Sequence, residues 1–174
     1  GYGLEVRVNA EKAVLAADGS VSFVPTPGEI TKCVLPEEEH IQLISMAGDG
    51  KVVSPFYDSL IIQIICHGEN RNDAVNKMAE YLDRVVINGI CTNISLIKRI
   101  LRDDVFLGGE YDTGYLPAYL DRIDAEDLIK EIEEASGSVG SGLSIEMLKI
   151  DDSDELKVLS PSTGVFYRTP SPSE

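Results

Sequence analysis

"SLIIQIICHGENRNDAVNKMAEYL" (residues 59–82) changes its hydrophobic period halfway along. Leu60 to Cys66 form a nearly unbroken apolar run, far short of a membrane span, that reads as a buried central strand. Beyond it Ala74, Val75, Met78, Ala79, Leu82 and Val86 recur at helical spacing. Asn70 and Asp73 are placed to cap the first turn of that helix. A buried strand followed directly by an amphipathic helix predicts a sheet packed with helices.

Upstream of residue 67 every segment reads as a short strand or a tight turn. "GLEVRVNA" puts Leu4, Val6 and Val8 on one face and Glu5, Arg7 and Asn9 on the other. "AADGSVSFV" carries a hairpin signal at Asp18-Gly19, and "ITKCVL" and "HIQLISM" are further strands. With no crossover helices between them, the strands are expected to pair largely antiparallel. Downstream, "VVINGICT" is a short strand turning at Asn88-Gly89. A second helix is expected after Thr92, with Ile94, Ile97 and Leu101 inward and Lys98, Arg99 and Arg102 outward. A third follows Asp124 and buries Leu128, Ile129 and Ile132. The expected class is α+β: a mostly antiparallel sheet of short strands, two or three helices, and a small β appendage at the C-terminus. "SGSVGSG" has flexible-linker composition, which divides the chain into 1–135, a linker at 136–156, and 157–174.

The 174 residues are 43% hydrophobic, ample for a core, and carry a net charge of −15. Such a surface repels a phosphate backbone, so nucleic acid is not an expected partner, and no apolar run suits a membrane. The acid is uneven: residues 121–155 hold 12 acidic and 3 basic side chains, the pattern of a solvated helix and linker. Cys33, Cys66 and Cys91 lack the spacing of a zinc site or a disulfide framework and fit reduced thiols in a cytoplasmic protein. His40 and His67 read as incidental, and Glu37 to Glu39 as a solvated loop.

Several stretches, taken in order, carry a resemblance. "EVRVNAE" resembles the E-x-R-[IV]-[NT]-A-E strand of biotin carboxylases, and "FVPTPGEI" resembles their F-x-P-[ST]-P-G-x-[IL] turn. "SPFYDSLIIQIICHGENRNDAVNKM" is similar to their P-x-Y-D-S block, and the likeness runs through "INGICTNISLIKRIL" to "GEYDTGYL". It covers roughly residues 1–121 and implies the C-terminal domain of a biotin carboxylase, which lies beyond the ATP-grasp core.

The resemblance implies a ligase reaction in which ATP and bicarbonate carboxylate the ureido nitrogen of biotin. Negative charge develops on the ureido oxygen, and a permanently charged planar donor suits it. Arg7 matches the family's catalytic arginine. Glu5 and Asn9 share its strand face as biotin-pocket candidates. Asp58 in "FYDS" either orients Arg7 or that pocket, or caps its own turn. Thr113 in "YDTG" falls where the family's chain passes close to adenine. No metal ligand is expected in this chain. Biotin and ATP with Mg²⁺ would be bound mainly by an upstream ATP-grasp core of the same polypeptide, so the piece alone should be inactive. A biotinyl carrier domain and a carboxyltransferase are the other implied partners.

"LKVLSPSTGVFYRTPSPSE" is similar to the opening strands of a biotinyl domain, without the E-A-M-K-M motif that carries biotin. The parent would be an acetyl- or propionyl-CoA carboxylase α-subunit or a pyruvate carboxylase. Two departures stand out. "PEEEHIQ" replaces the family's P-G-G-x-G-V-R, so Gln42 stands where the family has arginine, and Gln63 replaces a lysine. Adjacent carboxylates would repel a symmetric mate, which leaves a homodimer open but weighs against its usual form. These departures keep a second reading alive, a non-catalytic docking or oligomerisation module of the same fold. A third, an ATP-grasp ligase for another substrate, is opposed by the biotinyl-like tail.

Overall fold

The computed structural model describes residues 1–137, so all but the first two residues of the linker expected at 136–156, and the whole carrier-like tail, lie outside the described residues. The strands are β1 (Tyr2–Asn9), β2 (Glu11–Leu15), β3 (Val21–Pro25), β4 (Gly28–Glu29), β5 (Lys32–Val34), β6 (Ile41–Ser45), β7 (Val52–Val53), β8 (Leu60–Gly68) and β9 (Val86–Asn88). The helices are α1 (Arg71–Leu82), α2 (Ile94–Ile100), α3 (Asp104–Gly108), α4 (Tyr115–Arg122) and α5 (Ala125–Ala135).

The expected central strand, β8, lies between β1 and β6 in a three-stranded antiparallel sheet. Val6 faces Ile64 across the ladder, Val8 faces Ile62, and Arg7 faces Gln63. The alternation read from "GLEVRVNA" holds: Val6 and Val8 are buried while Glu5 and Arg7 are exposed. Val75, Met78, Tyr81 and Leu82 of α1 join Ile62, Ile64 and Cys66 in the core over that buried face. Each fully buried aliphatic side chain there contributes about 1.5–3 kcal/mol. The other strands form antiparallel pairs, β2–β3, β4–β7 and β5–β9, so the pairing direction is as expected but is divided among small sheets.

The passage from β8 to α1 is built from local chemistry. The Asn70 side chain accepts from Asp73 N–H at 3.1 Å, and the Asp73 carboxylate accepts from Glu69 N–H at 2.8 Å. This is a reciprocal cap. Gly68 is required just before it, because a Cβ there would lie 2.5 Å from the Ala74 nitrogen.

A second core joins Ala13, Cys91, Leu96, Tyr119, Leu128 and Ile132. Helix α2 serves both cores: Ile94 and Ile97, with Leu101 just past its end, pack on the first, and Leu96 and Ile100 on the second. The single stripe expected for α2 is therefore corrected to two, and Arg99, expected to point outward, pairs with Asp127 at 2.7 Å and Glu131 at 2.6 Å on α5.

The expected two or three helices are five. Helix α3 is five residues long, too short to show a period, and is made by its ends: Asp103 caps it and Gly109 closes it at φ 77°. Helix α4 contains Pro117, which reads as a breaker. It stands in the first turn, where its missing N–H would have had no intrahelical partner.

Candidate functional site

The open face of the three-stranded sheet carries Arg7. Its side chain is exposed, and none of the ion pairs among the described residues includes it. It borders a groove of about 270 Å³ whose other walls include Ile97, Leu101, Phe106 and Tyr111. Glu5 also lines that groove, and its carboxylate accepts from the Gln63 amide at 3.3 Å. Glu5 and Arg7 are thus brought together. Asn9 is not among the lining residues; its amide donates to Glu11 at 3.2 Å.

The backbone around Arg7 is held from both sides. Ala10 N–H donates to the Ser59 carbonyl at 2.8 Å, and the Ser59 hydroxyl donates to the Glu11 carboxylate. On the opposite edge the Asn93 side chain donates to Arg7 O at 3.1 Å and accepts from Asn9 N–H at 2.9 Å. Glu11, Ser59 and Asn93 escape a reading of the sequence as site-shaping residues, although all three lie in stretches that carry the resemblance. Asp58 accepts from Leu60 N–H at 2.8 Å, which makes it a turn cap at the head of β8.

Thr113 is exposed in a turn that Asp112 closes by accepting from Gly114 N–H at 2.8 Å. A cavity of about 640 Å³ lies beside it, lined by its neighbours Asp112 and Gly114 and by Tyr111, Tyr115 and Arg122; Thr113 itself is not among the lining residues. Phe106, Tyr111, Tyr115 and Tyr119 form an aromatic ladder with successive ring centres 5.0, 5.6 and 5.7 Å apart. Asp103 accepts from the Tyr115 hydroxyl at 3.0 Å and from Arg122 at 2.6 Å. Burial pushes Asp103 up, but the bonds from Arg122 and Tyr115 outweigh it and hold the carboxyl below its usual range. Burial, and then Asp103 itself, push the Tyr115 phenol up.

The acidic loop is not uniformly solvated. Glu38 ion-pairs with Arg84 at 2.5 Å and contacts the His40 imidazole at 3.1 Å, leaving its side chain 14% exposed. Glu37 and Glu39 remain exposed. Among the described residues no group of three or more His, Cys, Asp or Glu side chains could hold a metal ion.

The family model of the biotin carboxylase C-terminal domain matches residues 5–118. The chain belongs to that family. This biotin carboxylase C-terminal domain is 34% identical over 119 residues to biotin carboxylase 1 of Bacillus subtilis, a match covering 68% of this chain and 25% of that relative. It is 37% identical over 120 residues to the biotin carboxylase of Allochromatium vinosum, covering 69% of this chain and 25% of that one. Among solved structures it is similar to the biotin carboxylase domain dimer of Hydrogenobacter thermophilus 2-oxoglutarate carboxylase, in complex with MgADP, ADP and bicarbonate. That likeness has a TM-score of 0.61 at 32% identity, over 68% of this chain and 25% of that one. The chain thus spans about a quarter of the length of the curated relatives it matches. Helix α5 begins after the matched segment ends. No helix among the described residues is long and apolar enough to cross a membrane.

Proposed function

We propose that this domain completes the site at which a biotin-dependent carboxylase carboxylates biotin, with Arg7 as the catalytic residue. The observation that carries the reading is a guanidinium with no ion-pair partner among the described residues, at the rim of a groove with apolar walls, within the family match. Ile97 offers apolar surface to the fused bicycle of biotin, and Arg7 offers parallel N–H donors to the oxygen of its planar urea. These groups therefore fit biotin. When bound, biotin supplies the ureido nitrogen that accepts the carboxyl group.

Arg7 acts electrostatically. Its charge is permanent, so it stabilises an oxyanion as a neighbouring N–H is lost, without titrating itself. Glu5, tied to Gln63, shapes the adjacent wall, and Asp58 fixes the turn that leads into β8. The described residues offer neither a carboxylate cluster for Mg²⁺ nor a glycine-rich phosphate loop, so no phosphoryl step is assigned to them. ATP and Mg²⁺ belong to an upstream ATP-grasp core of the same polypeptide, with Thr113 near the nucleotide. A biotinyl carrier domain and a carboxyltransferase complete the machinery, and this domain alone is inactive.

The test is bicarbonate-dependent ATP hydrolysis by the full-length polypeptide, with and without free biotin. Stimulation by biotin supports the proposal. ATP cleavage indifferent to biotin rejects it, and absence of ATP cleavage favours the docking-module reading.

A further inference from the structure

Strand β1 is an edge strand: β8 occupies one side, and no strand pairs with the other among the described residues. Free backbone groups on such an edge leave it prone to local opening. The weak point is next to Arg7, because the ladder with β8 shifts register between Val8 and Asn9. The Arg7 carbonyl and the backbone N–H and carbonyl of Asn9 face the open edge, where all three meet Asn93.

Asn93 fills that edge as a strand residue would. Its carboxamide donates to Arg7 O at 3.1 Å and accepts from Asn9 N–H at 2.9 Å, while its own N–H donates to Asn9 O at 3.2 Å. These contacts occupy a residue with another local use. Asn93 is the N-cap of α2, where asparagine ordinarily accepts from its own helix, yet its side chain makes no capping hydrogen bond. The helix start gives up its capping hydrogen bond, and the strand beside Arg7 is fixed instead. A local rule broken in favour of a distant contact is the pattern of a functional site.

We infer that Asn93 is a positioning residue for Arg7: its carboxamide locks the open edge of β1 and so fixes the origin of the catalytic guanidinium. The inference rests on the proposed role of Arg7. Asn93→Ser separates the two duties, because serine caps a helix well but is too short to bridge both strand groups. Asn93→Asp, which keeps the acceptor and loses the donor to Arg7, is a second variant should the first fold poorly.

The experiment measures biotin-dependent ATP hydrolysis by the full-length polypeptide in wild type, Arg7→Ala, Asn93→Ser, Asn93→Asp and Arg7→Ala/Asn93→Ser, with melting temperatures alongside. The expected result is a kcat loss of about a hundredfold in both single Asn93 variants, the scale of a catalytic group misplaced by an ångström. KM for ATP is unchanged, and the double variant is no slower than Arg7→Ala. Wild-type turnover in the single Asn93 variants, or a loss that multiplies that of Arg7→Ala, overturns the inference. A wild type indifferent to biotin, or an Arg7→Ala variant with full turnover, overturns the proposed function itself and the inference with it.

Discussion

The guanidinium of Arg71 lies 4.8 Å from the ring centre of Phe106 and donates to that residue's carbonyl oxygen at 2.6 Å. It also donates to the Tyr2 hydroxyl at 2.8 Å and sits 5.5 Å from the ring centre of Tyr111. One side chain at the start of α1 thereby joins the beginning of β1 to the end of α3 and the aromatic ladder. Lysine keeps the charge and loses the planar fork and its stacking. Arg71→Lys should destabilise the domain by about 2 kcal/mol in urea unfolding. An unchanged midpoint would show that the cluster is only crowded together.

Tyr81 is fully buried, and its hydroxyl has no partner among the described residues. Burial, and then the Glu38 charge, push its phenol up to about 12. The unfolded phenol releases its proton near pH 10, so between there and about 12 only the unfolded state ionises. Stability from this group is complete below that window and falls as pH rises through it. Tyr81→Phe should remove part of the alkaline loss and leave neutral-pH stability equal or higher, since it deletes an unpaired buried hydroxyl. Tyr115 and Tyr119, also raised, sustain the remainder. Urea midpoints at roughly pH 8 and pH 11 check this, and parallel losses in both proteins would refute it.

Leu128 is 0% exposed in the second core and Cys91 is 3% exposed. Leu128→Ala should cost about 3 kcal/mol and make Cys91 reactive toward a thiol reagent under native conditions. A small loss with Cys91 still protected would mean that α5 contributes little to that core.

Gly68→Ala should be among the most damaging single changes, since its Cβ would meet the Ala74 backbone at 2.5 Å and neither the cap nor the strand can yield cheaply. Thermal unfolding reads it directly. A melting temperature within a few degrees of wild type would mean that the β8–α1 junction has slack.

What is legible in the sequence is local. The alternation of β1, the turn at Asp18-Gly19 and the cap at Asn70 depend on residues a few positions apart, and each appears in the structure. Helix α4 is hidden by Pro117, and α3 by having little more than one turn. The polar face bearing Glu5 and Arg7 is readable from period two. The contacts that steady it are not: Asn93 reaches Arg7 across 86 positions, and Arg84 draws Glu38 out of a loop that composition alone marks as solvated.

The proposed function sets the planar fork of Arg7 against the urea of biotin. Arg7→Lys in the full-length polypeptide retains the charge and discards the paired planar donors. Measured as bicarbonate- and biotin-dependent ATP hydrolysis, it should lose at least about a hundredfold in kcat with little change in KM for ATP. Turnover within a factor of about two of wild type would rule out that role for Arg7.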